Sequence, residues 1–341
     1  MQEIKPFLVD VPVRVNVWIR EECQKKQFEV LKQARPSVMF LISDGGRSDR
    51  EWEAIRNNRE MFDTQIDWDC KVYKVYEDKN NGLYTMAKKA AELIWSTVDR
   101  CVFLEDDYVP SVCYFRYCAE LLEKYKDDAR IYAIAGMNHL GVWEKPKSDY
   151  FFSESCSIWG IAMWKRSYDE RKNCFEYAGD EYVMDLLKKR TKHDPFFKDQ
   201  IVGYSQNERY MGHVAGGEFY NQFTVYAQNK LFIVPKYNMI SNIGCTENSA
   251  HATEYKLLPK AIKGIFNMKT YELEFPLKHP RYVINDVDYV AAERRIMARN
   301  HPIIAFKRRI ESILLSLRYK GMGEIFKRIA RRKKKKKTGE S

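Results

Sequence analysis

No stretch of the 341-residue chain approaches the roughly 20 consecutive apolar residues that a bilayer-spanning helix needs. Met1 to Asp10 carry Glu3 and Asp10 and no long apolar run, so they do not read as a signal peptide, and a cytoplasmic protein is expected. The eight cysteines form no Cys-x-x-Cys pair, which removes the usual zinc spacing; several, such as Cys101 before Val-Phe-Leu, read as reduced structural thiols. Internal repeats are absent. So is a basic body, although the net charge is +11: residues 307–337 hold 14 Lys and Arg against 2 acids, a net of +12 that leaves the rest at −1. Charge confined to one segment argues for a local electrostatic contact, and no nucleic-acid partner is expected.

The chain has enough apolar residues, 45%, to fold around a substantial core. Residues 13–18 alternate as a strand, 20–34 carry a helical pattern that Pro36 ends, and Ser37 to Ile42 is a second strand closed by Asp44-Gly45-Gly46. Trp52 and Ile55 fall in a following helix, 71–76 alternates again, and Gly82 opens a helical pattern through Trp95. Cys101 to Leu104 is a short buried strand, Pro110 to Tyr125 reads as a helix, and Ile131 to Ala135 as another strand. Such repeated strand–helix units predict an α/β fold with a mixed, mostly parallel sheet and helices on both faces. Ligands of such sheets bind beyond the carboxyl ends of the strands. Arg20, Asp44, Asn80 and Glu105-Asp106-Asp107 all fall just after predicted strands or in the next loop, so they are expected to converge. Residues 150–250, rich in aromatics, are expected to form mixed sheet and long loops.

The segment Cys101-Val-Phe-Leu-Glu-Asp-Asp107 is the most informative. Three adjacent anions repel, and a divalent cation removes that cost. Carboxylate oxygens suit Mg²⁺ or Mn²⁺, and one or two suffice when a substrate diphosphate supplies further ligands. A solvated acidic turn is the plainer alternative.

The stretch from Phe103 through Asp107 to Phe115, continuing through Leu121–Ile131 to Ile134-Ala-Gly-Met-Asn138, resembles bacterial family 2-like glycosyltransferases of the GT-A (Rossmann-like) type. It is more distantly similar to the N-acetylglucosaminyltransferase I group. Pro12 to Arg20, Ser43-Asp-Gly45, Asn80-Asn-Gly82, Ser157-Ile-Trp-Gly160 and Ile233-Val-Pro to Asn242-Ile-Gly244 fit in the same order, followed by His251, so the resemblance covers roughly residues 10–255. It implies transfer of a sugar, with inversion, from a nucleotide-diphosphate donor to a polysaccharide or lipid-linked acceptor; a donor-binding relative without catalysis is the alternative. By resemblance Asp107 binds Mn²⁺ or Mg²⁺, Asp106 contacts the ribose, and Glu105 lies near the donor sugar or diphosphate. Arg20 and Asp44 reach the nucleotide, Asp44 at the base, and Asn80 and Gly82 belong to the donor pocket. Asp44 is followed by Gly45-Gly46 where relatives often have Gly-Pro.

Transfer with inversion needs a base to take the acceptor's proton, and a carboxylate near the sugar can do this. Relatives place an Asp before the Val-Pro element; the matching position is Glu218, with Asp180 as a second candidate. Relatives also keep a histidine where His251 stands, as a second metal ligand. Trp159 and Gly160 suit an acceptor sugar, the ring by its apolar face and the glycine by the room it leaves; core packing accounts for them equally.

The boundary near 303 separates a 1–302 catalytic domain, with a donor half of about 10–140 and an acceptor half of about 141–260, from a 303–341 tail. Ile303, Phe306, Ile310, Ile313, Leu314 and Leu317 follow helical spacing among Lys307, Arg308, Arg309 and Arg318, before the run Arg331 to Lys337. A basic amphipathic helix with a polybasic end implies peripheral attachment to an anionic membrane surface, at the inner face of the plasma membrane.

Overall fold

The structure, a computed structural model, describes residues 4–171, 176–207, 209–210, 213–245, 252–298 and 301–337. From the N-terminus come β1 (Val9–Asn16), α1 (Glu21–Ala34), β2 (Pro36–Ser43), α2 (Asp49–Thr64), β3 (Lys71–Tyr76), α3 (Leu83–Thr97) and β4 (Arg100–Leu104). Then follow β5 (Tyr108–Pro110), α4 (Tyr114–Lys124), β6 (Ile131–Ala135), β7 (Tyr150–Ser153), β8 (Ile161–Trp164) and α5 (Lys165–Glu170). Next are α6 (Glu181–Arg190), α7 (Pro195–Gln206), the two-residue strands β9 (Arg209–Tyr210) and β10 (His213–Val214), and α8 (Gly217–Ala227). β11 (Leu231–Pro235), β12 (Ile240–Asn242), α9 (Ala252–Leu257), α10 (Lys260–Lys263), α11 (Val287–Ile296) and α12 (Pro302–Lys337) complete the chain.

Two compact units divide these elements. The first comprises Met1–Lys172, Gln228–Gly244 and Asn267–Val290. Its eight-stranded sheet has the order β3-β2-β1-β4-β8-β6-β11-β7. β1 pairs in parallel with both β2 and β4, β2 with β3, and β6 with β11; β8 and β7 run antiparallel to their neighbours. This is the expected mixed, mostly parallel sheet. β6 and β8 are buried at every position, which is why they read as apolar runs, whereas β1 encloses Val13 and Val15 on one face only. β1 lies between β2 and β4, so the chain leaves it one way and returns on its other side. The crevice at that reversal is where an open α/β sheet takes a ligand.

The predicted Pro110–Tyr125 helix begins later, at Tyr114. Pro110 instead ends β5, which pairs antiparallel with β12 through Pro110 with Ile240 and Tyr108 with Asn242. Ser111 N–H then donates to Met239 O at 2.8 Å, extending the ribbon before the helix can start.

The second unit comprises Asn173–Ala227, Cys245–Phe266 and Ala291–Ser341. Where mixed sheet and long loops were expected, residues 176–227 are mostly helical, and α6, α7 and α8 enclose Phe197, Ile201, Phe219 and Phe223. The Asp180 carboxylate accepts from Val183 N–H at 3.1 Å and caps α6. Asp194 caps α7 in the same way, followed by Pro195 in the first turn. α12 carries one interruption, Gly321 at φ 73°. Its Ile303, Phe306, Ile310, Ile313 and Leu314 side chains are exposed. Among the described residues no helix is long and apolar enough to cross a membrane.

Candidate active site

A cavity of about 330 Å³ opens in the first unit, lined by Arg20, Asp44, Asn80, Gly82, Glu105 and Asp106. All six were singled out as donor-binding from the sequence. They converge because β3, β2, β1 and β4 are parallel neighbours, so the loops after them share one end of the sheet.

Asp44, just beyond β2, organises the loop opposite. Its Oδ1 accepts from Gly45 N–H at 2.9 Å and Asn81 N–H at 2.8 Å. Its Oδ2 accepts from Gly82 N–H at 2.8 Å and Asn80 Nδ2 at 3.2 Å. Asn80 also donates to Gly45 O at 2.8 Å. Gly82 sits at φ 82°, a conformation that favours glycine, and it leads directly into α3.

The acidic turn after β4 is held from behind by Gln27 of α1. This fully buried amide donates to Glu105 O and Tyr108 O, both at 2.7 Å. Arg20, which opens α1, donates from Nη1 to Asp106 Oδ1 at 2.6 Å and to Asp107 Oδ2 at 2.9 Å. Glu105 accepts from Asn16 and lies 3.9 Å from the Arg14 guanidinium. Burial pushes the Asp106 carboxyl up to about 7 against the pull of Arg20, and burial raises Asp107 too. Burial opposes the charge on Arg20, but Asp106 and Asp107 together hold it above the usual arginine range.

Two features fit a divalent cation here. Asp106 is 7% exposed, and its buried Oδ2 has no hydrogen-bond partner among the described residues. A buried carboxylate oxygen left so is costly unless something else satisfies it. Gly244 lies so close to Asp107 that a Cβ there would meet Oδ2 at 2.1 Å. The β5–β12 ribbon makes that approach, and Ile243 N–H donates to Asp107 O at 3.0 Å. Among the described residues no group of three or more His, Cys, Asp or Glu side chains can hold a metal ion. The residues therefore fit a cation that shares its ligands with a bound diphosphate, not one caged by protein alone.

Trp159 is half-buried, its ring 6.2 Å from that of Tyr108, the residue after Asp107. A Cβ on Gly160 would meet Ile240 Cδ1 at 2.6 Å, and its φ of 64° favours glycine, so packing and backbone both account for the residue. Glu218 belongs to the second unit, exposed in the first turn of α8. His251 lies outside the described residues.

Among the other lining residues, the polar and aromatic ones that the sequence does not single out are Arg14, Asn16, Trp18 and Arg47. The first three stand at alternate positions of Val-Arg-Val-Asn-Val-Trp and so share one face of β1 and its extension. Polar residues recurring on one face of an otherwise buried strand were the available signal. The Arg47 guanidinium lies over the Trp18 ring at 5.1 Å.

No family model matches the sequence. No curated protein matches it either. Among solved structures it is similar to the mannosyltransferase PcManGT from Pyrobaculum calidifontis in complex with GDP-Man and Mn²⁺, at 11% identity over 65% of this chain and 76% of that one, TM-score 0.35. It is similar to S. aureus TarS 1-349 at 10% identity over 91% and 72%, TM-score 0.37. It is also similar to apo mouse xyloside xylosyltransferase 1 at 11% identity over 67% and 85%, TM-score 0.36. At TM-scores this low the likenesses decide nothing about the site; its own residues do.

Proposed function

We propose that the chain is a glycosyltransferase that binds a nucleotide-diphosphate sugar in the cavity at the β1/β4 reversal and transfers the sugar to a glycan or lipid-linked acceptor. The observation that carries this reading is the meeting of Arg20, Asp44, Asn80, Gly82, Glu105 and Asp106 on one cavity, beside an Asp106 oxygen that lacks a partner among the described residues. Three arginines, Arg14, Arg20 and Arg47, line the same cavity and suit a diphosphate. The Trp18 ring offers a face on which a nucleobase can stack.

Mn²⁺ or Mg²⁺, held by Asp107 and Asp106 together with the diphosphate, would stabilise the charge on the departing nucleoside diphosphate. The chain's own residues do the rest. Asp44 fixes the loop that carries Asn80 and Gly82, Gln27 fixes the acidic turn, and Arg14 offsets Glu105. Trp159 is the proposed acceptor contact. The exposed apolar side of α12, with its Lys and Arg residues, would keep the protein at an anionic membrane surface, within reach of a lipid-linked acceptor.

The test is release of free nucleoside diphosphate from a panel of UDP-, GDP-, CDP- and dTDP-sugars with Mn²⁺. Release from one donor class, lost in chelator, is expected. Binding of a donor with no release by hydrolysis or transfer to any glycan acceptor would favour a donor-binding protein over an enzyme. Neither binding nor release would contradict both.

A further inference from the structure

Arg20 stands where the two carboxylates of the acidic turn converge. A single nitrogen, Nη1, bridges Asp106 Oδ1 at 2.6 Å and Asp107 Oδ2 at 2.9 Å. A divalent ion that took ligands from both carboxylates, the unpartnered Asp106 Oδ2 among them, would come close to that nitrogen and repel the guanidinium.

Arg20 is also able to leave. Its side chain is 31% exposed. Its position at the start of α1 places no demand on the side chain, which makes no capping hydrogen bond. It lines the cavity, so its guanidinium has a destination when an anion is bound there. Glu105 is not that destination, because Asn16 and Arg14 already attend it. A diphosphate is.

We propose that Arg20 is an exchangeable counter-ion: it neutralises Asp106 and Asp107 while the cavity is empty, and yields them to a divalent cation by turning its guanidinium onto the arriving diphosphate. This rests on the donor reading given above and adds a coupling to it. Cation and diphosphate would each bind weakly alone, because the first must displace Arg20 with no anion to receive it, and the second finds Arg20 engaged. Together they would bind tightly, each favouring the other by the same factor.

The experiment uses the full chain, wild type and Arg20→Gln, with Mn²⁺ alone followed by electron paramagnetic resonance and Mn²⁺–pyrophosphate followed by calorimetry. Pyrophosphate serves as a base-independent probe. Removing the resident cation is expected to tighten Mn²⁺ alone by about tenfold and to weaken Mn²⁺–pyrophosphate by about tenfold. A merely structural arginine would weaken both. Arg20→Lys, whose shorter ammonium holds one carboxylate at a time, is expected to tighten Mn²⁺ alone by a smaller factor, and it serves if Arg20→Gln does not fold. Mn²⁺ binding that these variants leave unchanged or weaken would overturn the exchange and leave the donor site standing. Wild-type protein that binds neither Mn²⁺ nor Mn²⁺–pyrophosphate would overturn the donor reading itself, and the exchange with it.

Discussion

Asp44 and Gly82, 38 residues apart, are joined by a 2.8 Å hydrogen bond from the glycine N–H to the aspartate Oδ2. With the bonds from Asn80, Asn81 and Gly45, both carboxylate oxygens are engaged within the protein. The resemblance placed Asp44 at the nucleobase; the geometry adds a task that precedes any ligand. Asp44→Ala should therefore lower the melting temperature of the ligand-free protein by a few degrees and weaken nucleoside diphosphate binding by about tenfold, since stranded donors cost roughly 1–3 kcal/mol. Melting curves without nucleotide separate this from a contact made only to the base, whose loss would leave ligand-free stability unchanged.

Gln27 makes a prediction of the same kind from further away. It does not itself line the cavity and holds the backbone of the acidic turn, at Glu105 O and Tyr108 O. Gln27→Met keeps the volume and removes two donors to buried carbonyls, at a cost of about 1–3 kcal/mol. Metal-dependent nucleotide binding should weaken together with stability. An unchanged affinity in a destabilised protein would show that the turn holds its shape without Gln27.

Gly244→Ala tests the cradle around Asp107. The new Cβ would meet Asp107 Oδ2 at 2.1 Å and Asp107 Cβ at 2.7 Å, so the acidic turn must shift and not the carboxylate alone. Loss of the Mn²⁺ dependence of nucleotide binding is expected, together with a lower melting temperature. Titration of Mn²⁺ into wild type and variant checks it; equal Mn²⁺ affinity would remove Asp107 from the metal site.

The membrane contact rests on α12. Phe306 is 64% exposed and Leu314 59%, so replacing both by glutamate should leave folding intact. Co-sedimentation with vesicles containing phosphatidylserine should fall by at least about tenfold, since each buried apolar side chain contributes roughly 1.5–3 kcal/mol. Retained sedimentation would assign the interaction to charge alone, or to another surface.

Much of the first unit was legible because its strands carry apolar runs or apolar–polar alternation and its loops carry turn residues at strand ends. Lys71–Tyr76 and Ile131–Ala135 fell where alternation and apolar runs placed them. The helices α6, α7 and α8 of the second unit were not, because residues 150–250 stand out by their aromatics more than by their caps, although Asp194-Pro195 is a helix-start signal. At the site, Arg14 and Asn16 were hidden inside a strand pattern that drew attention only for its valines. Gly244 stood in a segment that had been noticed, but its closeness to Asp107 depends on β5 pairing with β12, which no local pattern shows. Glu218 keeps the reasons the sequence provided and no others.

The measurement that bears most directly on the central claim is calorimetric titration of UDP, GDP, CDP and dTDP into wild type and Asp107→Ala, each with Mn²⁺, with Mg²⁺ and with chelator. The account predicts that one nucleotide binds wild type with a divalent cation, at least about tenfold more weakly in chelator, and that Asp107→Ala remains folded and loses this difference. Binding that ignores both the metal and Asp107, or no binding of any of the four nucleotides or of their intact sugar donors, would contradict it.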